Sequence, residues 1–87
     1  MVIAPNPSRG QTNVMFELMA SAKVHIGVAN IEGSIILSKD LGGLGAGYQH
    51  ATLDLNQLAS GIYFVTLEED FGGGRIERTT RKLCLIK

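Results

Sequence analysis

The stretch from Leu53 to Val65 leaves this chain few folds to choose from. Leu53 and Leu55 flank Asp54 with the period-two alternation of a half-buried strand. Tyr63, Val65 and Leu67 resume that alternation beyond Gly61. Asn56 to Gly61 is too short for a helix of useful length, so it reads as a single-turn crossover. The chain is therefore expected to leave one sheet at Leu55 and join a second at Ile62. Leu58 is placed to plug the open end between the sheets. Gly61 is expected to allow a sharp turn without a Cβ clash. A tyrosine just past such a corner can donate its hydroxyl to nearby backbone, which assigns that role to Tyr63.

The rest of the chain keeps the same period. Thr12, Val14, Phe16 and Leu18 share one parity, as do Val24, Ile26 and Val28, and both sets are expected to face inward. Asn30-Ile31-Glu32-Gly33 reads as a tight turn in which Gly33 supplies the backbone freedom. Further strands are expected at Val2–Ala4, Ser34–Lys39, Tyr48–Leu55, Gly61–Glu69 and Arg75–Ile86. Gly42 to Gly47 and Phe71 to Gly74 read as hairpin loops. Pro5-Asn6-Pro7, followed by Ser8-Arg9-Gly10, reads as a stiff, extended lead-in because two prolines fix φ around Asn6. No window shows sustained helical periodicity. About seven strands at this spacing predict an all-β, immunoglobulin-like antiparallel β-sandwich.

The chain has 87 residues, and residues 1–87 are expected to form a single domain. At this size folding hides only about 60–65% of the unfolded chain's surface. The 45% hydrophobic content suits one thin core, without a large ligand cavity, which argues against an enzyme. Formal net charge is zero, so nothing global draws the protein to nucleic acid or an anionic membrane. No apolar run is long enough to span a bilayer. Met1 to Pro5 shows neither a basic n-region nor an apolar h-region. A domain working outside the cytoplasm is therefore expected to arrive as the tail of a longer precursor.

Candidate chemistry is sparse. Gly43-Leu44-Gly45-Ala46-Gly47 lacks the spacing, the Gly-Lys-Ser/Thr ending and the following helix of a phosphate-binding loop. His25 and His50 belong to no ligand pattern, and His25 lies on the solvent parity, so no metal or cofactor is expected. Cys84, the only cysteine, sits between Leu83 and Leu85 and reads as a small buried hydrophobe. Asp54 reads as a solvated outward carboxylate. Glu68, Glu69 and Asp70 precede Arg75, Arg78, Arg81 and Lys82, so a hairpin would set them in a cross-strand charge ladder. No aromatics interleave with these cations, which argues against nucleic acid. No nucleophile, base and oxyanion donor come together, so no catalytic residues are assigned.

Taken in order, the motifs resemble a known family. Pro5-Asn6-Pro7-Ser8 with Gly10 opens the chain. Val24 to Val28 then leads into Asn30-Ile31-Glu32-Gly33. Leu53-Asp54-Leu55 follows with Leu58, Gly61, Tyr63 and Val65, and Lys82-Leu83-Cys84-Leu85-Ile86-Lys87 closes the chain. From about Ile3 to Lys87 the sequence resembles the type A C-terminal sorting domain of the type IX secretion system. It departs at Asn30, where that family usually carries Asp, and at Ala4, where it often has a larger apolar residue. The resemblance implies a non-enzymatic tail that directs a secreted cargo across the outer membrane of Gram-negative bacteria, for surface attachment or release. It implies the outer-membrane translocon, its shuttle protein and a surface sortase as partners. It also implies passage through the periplasm to the cell surface or medium.

On that reading Pro5, Asn6 and Pro7, with Arg81, Lys82, Leu83, Leu85, Ile86 and Lys87, are the expected contact residues. Gly10, Gly33, Leu58, Gly61, Tyr63 and Val65 are expected to hold the shape. Unpaired terminal strands are expected to let the isolated domain dimerise or swap strands. The alternative is a structural or carbohydrate-binding, adhesion-type sandwich module of an extracellular protein. With Phe16 and Tyr63 on buried parities, an aromatic platform for sugar rings is hard to assemble.

Overall fold

The computed structural model describes residues 1–87 and contains seven strands and no helix. They are β1 (Val2–Ala4), β2 (Gln11–Leu18), β3 (Ala22–Ala29), β4 (Ile35–Leu44), β5 (Gly47–Asp54), β6 (Gly61–Gly72) and β7 (Arg75–Leu85). Two antiparallel sheets, ordered β1-β2-β5 and β4-β3-β6-β7, pack as a sandwich. The immunoglobulin-like sandwich read from the sequence is thus the observed architecture.

Period-two patterning sets the core. Thr12, Val14, Phe16 and Leu18 of β2 point inward, as do Val24, Ile26 and Val28 of β3. Leu53 and Leu55 meet Tyr63, Val65 and Leu67 from across the sandwich, and Leu83 and Leu85 complete the layer. In β2 and β3 the polar residues other than Thr12 lie on the opposite face, so a slip of one residue would expose those apolar sets. That penalty holds the register.

The crossover joins the sheets as expected, since β5 lies in the three-stranded sheet and β6 in the four-stranded one. Leu58 is half-buried against the core, its N–H bonded to the Leu55 carbonyl at 3.0 Å. The Tyr63 hydroxyl donates to the Ala59 carbonyl at 2.5 Å, which makes the tyrosine corner. In the β3–β4 turn, Asn30 Oδ1 accepts from the N–H groups of Glu32 and Ser34, both at 3.0 Å, while Gly33 takes φ 86°. The oxygen that an Asp would supply there is thus supplied by the carboxamide.

Five local expectations are corrected. Gly42 to Gly47 is not a hairpin loop. β4 continues to Leu44, and only Gly45 and Ala46 remain to carry the chain between the sheets. Glycines weaken strand propensity, but main-chain pairing with β3 up to Ala22↔Leu44 holds this segment, and a bulge absorbs Leu41. β6 likewise extends to Gly72, so the β6–β7 turn is the two residues Gly73 and Gly74, both with positive φ. Pro5 to Pro7 bends instead of running extended, and both of its Xaa–Pro peptide bonds are cis. Gly61 does not use its conformational freedom. Its φ is not positive, and a Cβ there would lie an ordinary 3.9 Å from Tyr63 Cε2. Cys84 is half-buried on the outer parity, because the core takes Leu83 and Leu85.

Candidate functional site

The two ends of the chain form one surface. Lys82, Cys84 and Ile86 turn main-chain groups away from β6, toward the outer edge of β7, and the Pro5–Ser8 segment lies along that edge. The Asn6 carboxamide bridges it. Its Nδ2 donates to the Lys82 carbonyl at 2.9 Å, and its Oδ1 accepts from the Cys84 N–H at 2.9 Å. Ser8 continues the contact, donating its N–H to the Cys84 carbonyl and accepting from the Ile86 N–H, both at 2.8 Å. Ser8 and Leu85 so form a parallel bridge. One carboxamide and one residue of backbone therefore act as a short extra strand.

The bend is pinned from beneath. Ser8 and Thr12 are wholly buried polar residues, and each is satisfied. The Ser8 hydroxyl donates to the Gln11 carbonyl at 2.8 Å and accepts from the Gly10 N–H at 3.2 Å. The Thr12 hydroxyl donates to the Pro5 carbonyl at 2.7 Å. Gly10 accepts from the Leu55 N–H at 2.7 Å, and a Cβ there would collide with Asn56 Oδ1. Gly10 thus joins the lead-in to the crossover at close approach, and its φ of 153° is one that side-chain-bearing residues rarely adopt.

The crossover also holds the other end. Asp54 Oδ1 accepts from Asn56 N–H at 3.0 Å and Nδ2 at 2.7 Å, so this carboxylate caps the turn and is not merely solvated. The Lys87 N–H donates to Ser60 Oγ at 3.0 Å, and Lys87 Nζ donates to the Asn56 carbonyl at 2.5 Å. Lead-in, crossover and final strand are one interlocked corner.

Exposure sorts the residues expected at a contact surface. Pro5, Asn6 and Pro7 are exposed, as are Arg81, Lys82, Ile86 and Lys87. Leu83 and Leu85 are 0% and 1% exposed, so they seat the strand from within the core. Among the residues expected to hold the shape, Gly10, Leu58, Tyr63 and Val65 all sit at or under this corner, and Gly33 lies in the β3–β4 turn. Ser8, Thr12, Asn56 and Ser60 are not among the contact or shape-holding residues expected from the sequence. Ser8 belongs to the opening motif, and Thr12 carries a signal as a polar residue on an otherwise apolar inward parity.

The charge ladder is only partly realised. Arg78 Nε reaches Glu68 Oε2 at 3.2 Å across the β6–β7 pair. Arg75 lies 5.1 Å over the Phe71 ring and 3.9 Å from Glu77. Glu69, however, pairs with Glu77 in register. Burial first, and then that neighbouring carboxylate, push Glu69 above the ordinary carboxylate range, against an opposing pull from the N-terminal amine. The Arg81 guanidinium finds only the Thr80 carbonyl, at 3.2 Å.

The family model described as the secretion system C-terminal sorting domain matches residues 2–83. No curated protein matches the chain.

Proposed function

This chain belongs to the secretion system C-terminal sorting domain family, and from that premise we propose how it serves as an address. Its role is that of a type IX sorting signal, which implies engagement of the secretion machinery and export to the cell surface or beyond. In the proposed scheme residues 1–87 are a single folded tail on a larger cargo. The cargo passes through the periplasm, is taken up by the outer-membrane translocon and its shuttle protein, and is attached or released by a surface sortase. The domain is a substrate of these steps and performs no chemistry itself.

One observation carries this reading. The Pro5–Ser8 segment is hydrogen-bonded to Lys82, Cys84 and Ile86, so two motifs at opposite ends of the sequence present a single rigid patch. An address shared among unrelated cargoes needs a shape that does not depend on the cargo. A patch built only from the domain's own ends, locked to its own crossover, meets that need. Pro5, Asn6 and Pro7 with Arg81, Lys82, Ile86 and Lys87 are the proposed contacts, with Leu83 and Leu85 fixing the strand beneath them.

The test is an export assay. The chain is fused to the C-terminus of a periplasm-directed fluorescent reporter, in a bacterium with and without a working type IX system. Fluorescence at the surface or in the medium is expected only in the competent strain. The surface variants Lys82→Glu, Ile86→Ser and Lys87→Glu are then compared with Leu83→Ala, which acts through the core. Periplasmic retention in both strains would overturn the sorting role, given a host that exports a known type A signal. Export undiminished in all three folded surface variants would overturn the proposed contact patch.

A further inference from the structure

The outer edge of β7 is only half covered. In an antiparallel ladder alternate residues direct both main-chain groups to the same side. Lys82, Cys84 and Ile86 meet the Pro5–Ser8 segment, so the even-numbered residues of β7 are those facing away from β6. The β6–β7 register is unbroken from Gly61↔Leu85 to Asp70↔Ile76. Ile76, Arg78 and Thr80 therefore also present their N–H and C=O groups outward, and no strand pairs with them. The other edges differ. β4 is bulged at two places, β1 has three residues, and on β5 the Thr52 carbonyl is occupied by Lys39 Nζ at 2.8 Å.

We propose that the open edge of β7, Ile76 to Thr80 together with the free N–H of Lys82, pairs antiparallel with the same edge of a second copy of this chain, with Glu77 facing the partner's Arg81. The charges select both partner and register. Outward-facing residues must oppose one another, which leaves three central symmetric registers. Centring on Arg78 sets it against the partner's Arg78. Centring on Thr80 sets Arg78 against the partner's Lys82, twice. Centring on Thr79 sets Arg78 against the partner's Thr80 and Ile76 against the partner's Lys82. It also sets Glu77 against the partner's Arg81, and by symmetry the pair occurs twice. This register alone avoids like charges, and directly opposed charges govern cross-strand pairing.

It also resolves what a single copy leaves unbalanced. Arg81 has no carboxylate partner of its own, while Glu77 and Glu69 oppose one another, with Arg75 at 3.9 Å from Glu77 and the N-terminal amine acting on Glu69. The partner's Arg81 would bring a cation to that carboxylate pair. The two four-stranded sheets would become one eight-stranded sheet through the dimer axis. This inference rests on the edge and its charges and does not depend on the sorting role.

Sedimentation of the 87-residue chain over a concentration series at low salt tests it. A monomer–dimer equilibrium is expected that weakens as salt is added. Arg81→Glu and Glu77→Arg each create two like-charge oppositions, and each should raise the dimer dissociation constant by roughly ten- to a hundredfold. The double variant E77R/R81E restores opposite charges and should recover the dimer. Thr80→Pro removes an outward N–H while sparing the ladder to β6, and should give a folded monomer by circular dichroism. A monomer at all concentrations would overturn the proposal. So would a dimer indifferent to Arg81→Glu, or one that E77R/R81E fails to restore, since either places the contact elsewhere.

Discussion

Replacing Asn6 with Ala tests whether the joined ends depend on one carboxamide. The substitution removes two hydrogen bonds, to the Lys82 carbonyl and from the Cys84 N–H. Each such bond contributes about 0.5–1.5 kcal/mol net. Both freed groups lie at an exposed edge, where water replaces the lost partner, so the low half of that range applies. The expected loss is about 1–2 kcal/mol, or roughly 4–8 °C in Tm per kcal/mol for a domain of this size. Thermal and urea unfolding followed by circular dichroism measure the loss. Hydrogen exchange locates it, with the Cys84 amide expected to exchange about tenfold faster while the amides between β3 and β6 keep their protection. Asn6→Asp is the sharper variant. It keeps an acceptor for Cys84 but sets a carboxylate oxygen against the Lys82 carbonyl, so it should destabilise at least as much as Ala. Unchanged stability in Asn6→Ala together with unchanged Cys84 exchange would refute the reasoning, because the Ser8 backbone contacts would then suffice alone.

Other expectations follow from single contacts. Tyr63→Phe deletes the hydroxyl that donates to Ala59 and should cost about 1–2 kcal/mol in urea unfolding, with the core otherwise retained. Leu83→Ala opens a cavity at a fully buried position and should cost about 2–5 kcal/mol, a loss measurable by calorimetry. Glu69 should make stability fall with rising pH. Its folded-state affinity for a proton exceeds the unfolded one, so the folded state holds more protons across the window between the ordinary carboxylate range and its raised value. Glu69→Gln should therefore be more stable than the parent above that window and equal to it below. Denaturation across pH at low protein concentration checks this, and a constant difference at all pH values would contradict it.

Much of the fold was legible because the strands obey a strict rule. Thr12, Val14, Phe16 and Leu18, then Val24, Ile26 and Val28, alternate with polar residues, and every one of them is buried. The crossover was legible for a related reason. Leu55 and Ile62 are too close in sequence for a helix, and Tyr63 carries the hydroxyl a corner needs. Asn30 and Gly33 announced their turn through side-chain acceptor and backbone freedom. The glycine-rich end of β4 was misread because propensity argued against a strand that main-chain pairing with β3 sustains. Asp54 reads as idle in the sequence because its partner, Asn56, matters only once the turn has formed.

The sequence by itself determined which face of β2, β3, β5 and β6 is buried, that a turn falls at Asn30–Gly33 and that two sheets must be joined at Asn56–Gly61. Those properties are local, since side-chain period, proline and glycine act over a few residues. Which strands become neighbours was decided only by the tertiary structure. So were the docking of Pro5–Ser8 on the final strand, the burial of Leu83 and Leu85 beneath it, and the open edge from Ile76 to Thr80. Backbone hydrogen bonds make those contacts, and every residue but proline carries the same donor and acceptor. Their partners are chosen by packing at long range, and an alternating pattern within one strand does not record that choice.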